Sequence, residues 1–346
     1  MRVAFYSYPS AFQNPGGGEV QLLKTKEALE ALGVEVKLFD QWNDRLKDFD
    51  VFHVFGSVKD CAGIMQTAGN LGVKVALSTI FWSSFNRALH EGGTFGKRAE
   101  LFSRHLLKLA FPLLPTGRRK TMSLADVLLP NSESEKKQVM RLFGISPDKI
   151  IPVPNGVDER FLSGDPEEFS RSHGMEDFIL AVGRIEPRKN QKNLIMAVKG
   201  LKQKLVIVGN PVSDYMWYYD ECCKEAGDNV VFLGGIDHES TMLTSAYAAC
   251  SVFAAPGWFE TPGLAALEAA GCGAGIAITK HGSTVDYFGD EARYFEPAAP
   301  ESIRKAVMAA LRITKAEKQV LRRRIKERFL WKNVAQETLK AYKSVS

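Results

Sequence analysis

Two glutamates and two cations carry the chemistry most legible in this chain. Glu260 precedes a Pro262–Gly263 helix start in PGWFETPGLAALEAAG, and Glu268 lies eight residues further on. Eight helical residues turn through about 800°, so the two carboxylates need not share a face. From the loop, Glu260 can reach a ligand at the helix mouth. Glu268 sits in an otherwise apolar stretch, and burying an unpaired carboxylate is very costly. It must have a partner, either a ribose diol or, in the plainer reading, a structural salt bridge. Arg184 follows the apolar run FILAVG, whose last residue is Gly183, and Lys189 comes five residues later in GRIEPRKN. A guanidinium fork and an ammonium point charge at a strand exit suit a pyrophosphate; a solvated basic loop is the competing reading. Near the N-terminus, NPGGGEVQLL places Gly16, Gly17 and Gly18 before a helical pattern. Backbone amides there can approach an anion closely, helped by the helix dipole. The pattern is not GxGxxG, and no acidic residue follows at the ribose-reading distance, so a ligand-free turn stays open.

These residues all follow short apolar runs, which sets the architecture. Strands are expected at 2–8, 34–39, 51–55, 73–80, 125–131 and 150–153, with helical periodicity between most of them. After NGVD and a polar stretch, a second series follows at 178–183, 204–209, 229–234, 252–256 and 275–280. Continuous apolar strands alternating with helices indicate parallel sheets covered on both faces. Two series imply two doubly wound domains, whose ligands bind outside the carboxyl ends of the strands.

The 346 residues, 45% hydrophobic and 25% charged, suit two folded domains and exclude disordered and collagen-like classes. No run of about 18 apolar residues offers a membrane span. The start, MRVAFYSYPS, reads as a strand rather than a signal peptide, so export through a cleaved leader is not expected. The five cysteines, at 61, 222, 223, 250 and 272, form no CxxC pair. They read as reduced cytosolic thiols used as small apolar residues, not as a zinc site or disulfide frame.

Taken together and in order, PGGGEVQLL, DVLLPNSES…DKIIPVPNGVD, GRIEPRK and the Glu-x7-Glu segment resemble the family 4 retaining glycosyltransferases of GT-B fold, over nearly the whole chain. The resemblance implies an N-terminal Rossmann-like acceptor domain at 1–155 and a C-terminal nucleotide-sugar domain at 156–328. These would face each other across a cleft, with a helix at 329–346 returning to the first domain. It implies that Arg184 and Lys189 hold the donor diphosphate, Glu268 the nucleotide ribose and Glu260 the donor-sugar hydroxyls. Gly263 and Leu264 would touch sugar and phosphate through their amides, and Gly16 and Gly17 would close on the phosphates. Gly183, Gly209 and Asn210 would face the nucleotide, and the backbone of Ile236 the base. It further implies metal-independent transfer, with Glu260, Arg184 and Lys189 as the catalytic set, no cofactor beyond the nucleoside-diphosphate sugar, and a glycan or lipid-linked acceptor of a surface polymer.

Two departures stand out. Thr261-Pro262 replaces the family's Gly-Phe, and proline cannot donate an amide hydrogen bond. Phe81 or Trp82 stands where many members carry a histidine near the transferring sugar, so these two residues and His53, in DVFHVFG, mark the acceptor region. A buried, hydrogen-bonded imidazole is the plainer reading of His53. The departures keep open a non-catalytic nucleotide-sugar-binding scaffold, and the fold keeps open a nucleotide-sugar epimerase.

The net charge of +5 is unevenly spread: residues 87–120 hold eight basic against two acidic residues. Within them Phe95, Ala99, Phe102, Leu106 and Leu109 recur at helical spacing, with Arg98, Arg104, His105 and Lys108 elsewhere on the wheel. An interfacial helix on an anionic membrane has this pattern, with residues 95–120 as its contact and a cytoplasmic, peripheral location. A helix packing its apolar stripe on a sheet is the alternative. No zinc pattern, helix-turn-helix or RNP-like motif supports nucleic-acid binding.

Overall fold

The structure is a computed structural model that describes residues 1–13, 16–91 and 94–345. The chain divides into two units. The first comprises Met1–Phe85, Ala99–Gly156 and Phe329–Ser346; the second comprises Asn86–Arg98 and Val157–Arg328. Each is an α/β layer structure on a doubly wound parallel sheet. The first unit's middle segment ends at Gly156, and residues 86–98 cluster with the second unit.

Among the described residues, the first unit's sheet contains β1 (Arg2–Ser7), β2 (Glu35–Leu38), β3 (Val51–Phe55), β4 (Lys74–Ser78) and β5 (Val127–Leu129), in the order β2-β1-β3-β4-β5. All pairs are parallel. The run at 150–153 is not a strand; Ile150 makes only an isolated bridge to Leu128. Phe52, Val54, Met65, Leu77 and Leu128 are fully buried in the core between sheet and helices. Each such side chain contributes roughly 1.5–3 kcal/mol. The last helix, Trp331–Lys343, packs on the helix Gly17–Glu30. Its Tyr342 hydroxyl lies 2.6 Å from His53 Nδ1, and Ser78 Oγ lies 3.0 Å from Nε2.

His53 is therefore a core residue, 1% exposed. Burial pushes its pKa down to about 3, so the imidazole stays neutral. Phe81 is also buried, its ring 5.1 Å from that of Phe143. Neither side chain lines a surface, which corrects their assignment to an acceptor region; Trp82 is half-buried. Another group organises that segment. Glu135, buried on the helix Glu133–Phe143, accepts hydrogen bonds from Thr79 Oγ1, from the Phe81 amide at 2.7 Å and from the Asn131 amide at 2.8 Å. Two of these donors flank Ile80, a β-branched residue at φ +43°. Such residues rarely occupy the left-handed region, so the backbone here is held against its preference.

The second unit's sheet contains β6 (Ile179–Val182), β7 (Leu205–Val208), β8 (Val230–Gly234), β9 (Val252–Ala255), β10 (Gly275–Thr279) and β11 (Arg293–Phe295). Their order is β11-β10-β9-β6-β7-β8, again parallel among the described residues. β11 has no counterpart in the sequence expectation, since its residues, RYF, form no continuous apolar run. The direction of winding reverses between β6 and β9, which opens a crevice beyond their carboxyl ends.

Replacing Tyr342 by Phe leaves His53 Nδ1 without its partner inside the core. Urea denaturation should show a loss of about 1–3 kcal/mol.

Candidate functional site

Glu260 and Lys189 meet at the crevice between β6 and β9. Lys189 Nζ lies 2.7 Å from Glu260 Oε1, and the Glu260 side chain is 6% exposed. β6 delivers Gly183 and Arg184, and a short turn at Pro187–Lys189 carries the lysine back across Gly183. β9 delivers Pro256, after which the chain runs to Glu260. There the backbone is pinned to the neighbouring strand exit: Glu260 donates to the His281 carbonyl at 3.1 Å and accepts from the Ser283 amide at 3.0 Å. The approach is so close that a Cβ on Gly282, at φ +109°, would fall on the Glu260 carbonyl. Only glycine fits there.

The following helix, Leu264–Cys272, begins at Gly263 with φ +86° and no capping side chain. Its first residues, Leu264, Ala265 and Ala266, line a cavity together with Lys189, Glu260 and Gly263. Helix N-terminal amides beside an ammonium favour an anion. Arg184 is 42% exposed at the side chain, with a long 3.8 Å approach to Glu186. Glu186 also takes Arg188 at 3.1 Å.

Glu268 is buried on that helix and has protein partners. Tyr247 Oη donates to Oε2 at 2.8 Å, and His238 Nε2 lies 2.8 Å from Oε1. The hydrogen bond to Glu268 raises the His238 pKa, with the Glu268 charge and Glu239 adding to it, while burial and Arg160 oppose. Arg160 in turn donates to the His238 carbonyl at 2.8 Å. Gly209, at φ +152°, and Asn210 stand at the exit of β7, where the Asn210 side chain accepts from the Gly235 amide at 2.8 Å; Ile236 follows directly. Gly16 and Gly17 lie in the first unit, where the Gly16 amide donates to Glu19 at 2.8 Å.

Sequence reasoning passed over His238, Tyr247 and Trp258. Trp258 Nε1 donates to the Pro187 carbonyl at 2.9 Å, and the His90 ring stacks on Trp258 at 3.9 Å. Asn86 donates to the Trp258 carbonyl at 2.8 Å. The turn of Lys189 and the loop of Glu260 are thereby tied together, with Asn86 and His90 packed on Trp258. A signal existed for His238, a polar residue just beyond the β8 exit; Tyr247 lies inside an apolar helix and carried none. Among the described residues, no cluster of three His, Cys, Asp or Glu side chains is placed to hold a metal ion. No described helix is long and apolar enough to cross a membrane.

Residues 166–328 match the family model of glycosyl transferases group 1. A D-inositol 3-phosphate glycosyltransferase of Stackebrandtia nassauensis is 30% identical over 265 residues, covering 65% of this chain and 56% of that one. An uncharacterized glycosyltransferase of Methanocaldococcus jannaschii is 30% identical over 236 residues, covering 61% and 58%. The chain thus spans little more than half the length of these relatives. Among solved structures, Anabaena HepE in complex with UDP superposes with a TM-score of 0.73 at 15% identity, covering 99% of this chain and 100% of that one. Sucrose-phosphate synthase from Thermosynechococcus elongatus reaches 0.76 at 17%, covering 99% and 98%. At these identities the likeness is one of fold.

His238 makes a specific pH signature. Its folded pKa is raised, so its contribution to stability is full below about pH 6.5 and is lost as pH rises through the raised value. The melting-temperature gap between wild type and His238→Asn should be wide near pH 6 and narrow steadily towards pH 9.

Proposed function

We propose that the protein is a glycosyltransferase that takes a sugar from a nucleoside-diphosphate donor held by the second unit. The observation that carries this reading is the pairing of half-buried Lys189 with buried Glu260 beside an uncapped helix start at the switch point of the sheet. The group 1 domain at 166–328 supports it, as does the likeness of fold to HepE, solved with UDP and with UDP-glucose. In this reading Arg184, Lys189 and the amides of Gly263 and Leu264 stabilise charge on the departing diphosphate. Glu260 turns its free carboxylate oxygen to sugar hydroxyls. Glu268 keeps Tyr247 and His238 and offers its remaining lone pairs to the ribose.

Transfer is proposed to retain configuration, the acceptor attacking on the leaving-group face and the diphosphate oxygen taking its proton. A trapped glycosyl-enzyme adduct in mass spectrometry would overturn that step, because a covalent route needs a carboxylate nucleophile. Removing the ammonium tests the whole assignment. Lys189→Met should weaken calorimetric binding of UDP by about tenfold or more, the scale of one charge-assisted contact. Unchanged affinity sinks it.

The acceptor is proposed to be a glycan or lipid-linked saccharide met at a membrane surface on the cytoplasmic side. The helix Phe95–Ala110 packs in an unexpected sense. His105 is buried against Ser83, and the Lys108 ammonium lies over the Phe81 and Phe143 rings. The face pointing outward instead carries Phe102, Leu106 and Leu107, continued by Phe111 and Leu113, which are 60% and 65% exposed. Arg118 and Arg119 reach back to the carbonyls of Ser57 and Phe143, each with one donated hydrogen bond. Arg104 and Lys120 remain at the surface. Exposed apolar side chains along one helix and its continuation, with cations on the same segment, fit the interface of an anionic bilayer. The protein should co-sediment with vesicles containing phosphatidylglycerol. Leu106→Asp with Phe111→Asp should lower that binding by at least about tenfold, given the apolar burial each residue supplies.

A further inference from the structure

A second cleft, of about 370 Å³, opens in the first unit at the carboxyl ends of β1 and β2. Its volume lies within the range of about 300–1,000 Å³ typical of small-molecule sites. We propose that this cleft is the acceptor subsite and that it receives a neutral pyranose ring; the proposal rests on the transferase reading above.

The walls are aromatic and interlocked. Tyr6 meets Phe39 edge-on at 6.4 Å and Phe52 at 5.7 Å, and Phe39 packs edge-on against Phe49 and Phe52. The floor is thus preformed by the core. The rim is different. Phe12 is 45% exposed and Trp42 is 84% exposed, a large aromatic surface that gains nothing from folding. Trp42 nevertheless sits in an ordered loop: its amide donates to Asp40 Oδ1 at 2.9 Å, and the Asp40 amide donates to Asp44 Oδ2 at 3.0 Å.

The polar atoms select the ligand. Asp40, Gln41, Tyr6 and Tyr8 are the polar residues of the lining besides Ser7. The Asp40 carboxylate accepts from the Trp42 amide at 2.9 Å and from Asn43 Nδ2 at 2.6 Å and has lone pairs left for a hydroxyl. Flat rings with acceptors and donors at their edges suit a pyranose, whose C–H face stacks on aromatics while its hydroxyls reach outward. An acyl chain could pack on the rings but would engage none of these polar groups. No lysine or arginine is among the lining residues, and the nearby Lys37 is already paired with Asp44 at 2.5 Å, so a phosphorylated sugar would bring its dianion towards Asp40 with no cation of the lining to meet it. The relatives named for D-inositol 3-phosphate therefore do not predict the acceptor here.

Saturation-transfer NMR with methyl hexopyranosides and neutral disaccharides, alongside glucose 6-phosphate, tests the cleft. At least one neutral saccharide should bind saturably, more tightly than glucose 6-phosphate. Trp42→Ala should weaken it by about fivefold or more, the order of one lost ring-face contact, while Trp42→Phe retains most of the affinity. Circular dichroism checks the fold of each variant, and the exposure of Trp42 predicts no loss. The proposal is overturned if no neutral saccharide binds, if Trp42→Ala binds as wild type does, or if glucose 6-phosphate binds as tightly. UDP calorimetry on the same samples separates the two readings. UDP binding without saccharide binding removes the cleft and keeps the donor site; the reverse keeps a saccharide cleft and removes the transferase.

Discussion

The second unit is organised by one buried carboxylate that the fold has to keep in place. Glu260 is 5% exposed, and a charge so enclosed is tolerated only with a partner. Lys189 provides the partner, which fixes where the turn after β6 must end. The main chain of Glu260 provides the second restraint, bonded on both sides to the exit of β10. Crowding follows from these two demands. A Cβ on Gly257 would come within 2.7 Å of Glu260 Oε1, and one on Gly282 would overlap its carbonyl. The glycines of this region are where other backbone had to yield space to one side chain.

The same device recurs in the first unit. Glu135 is fully enclosed, and burial pushes its pKa up to about 7 against three donated hydrogen bonds. Its donors come from the ends of β4 and β5 and from the loop after β4, so a single carboxylate ties two strand exits to one helix. It holds the turn at Ile80 in a conformation that a β-branched residue would otherwise leave. In the first unit the buried side chain itself takes up amides at the strand exits, where the regular hydrogen bonding stops; in the second the main chain of Glu260 makes those bonds while its side chain pairs with Lys189.

Parts of this were plain in the sequence. Apolar runs such as VFHVF and KLVIVG announced their strands because both faces of a parallel sheet are buried, and Glu260, Glu268, Arg184 and Lys189 drew notice as charges at strand exits. Other parts had no local trace. The three residues of β11 form no continuous apolar run. Segment 86–98 joins the second unit through Asn86 and His90 on Trp258, contacts more than 160 positions apart. The helix at 95–110 was recognisable as amphipathic, yet which face turned inward depended on His105 finding Ser83 and Lys108 finding two aromatic rings.

The sequence by itself determined the alternation of strand and helix, the two-part division and the positions at which charge would emerge, because periodicity and burial act over a few residues. The tertiary structure alone decided the partners of those charges. Lys189 and Glu260 are 71 positions apart, and His53 and Tyr342 are 289 apart. Strand order brings each pair together, and strand order is set by long-range packing that no window of sequence contains.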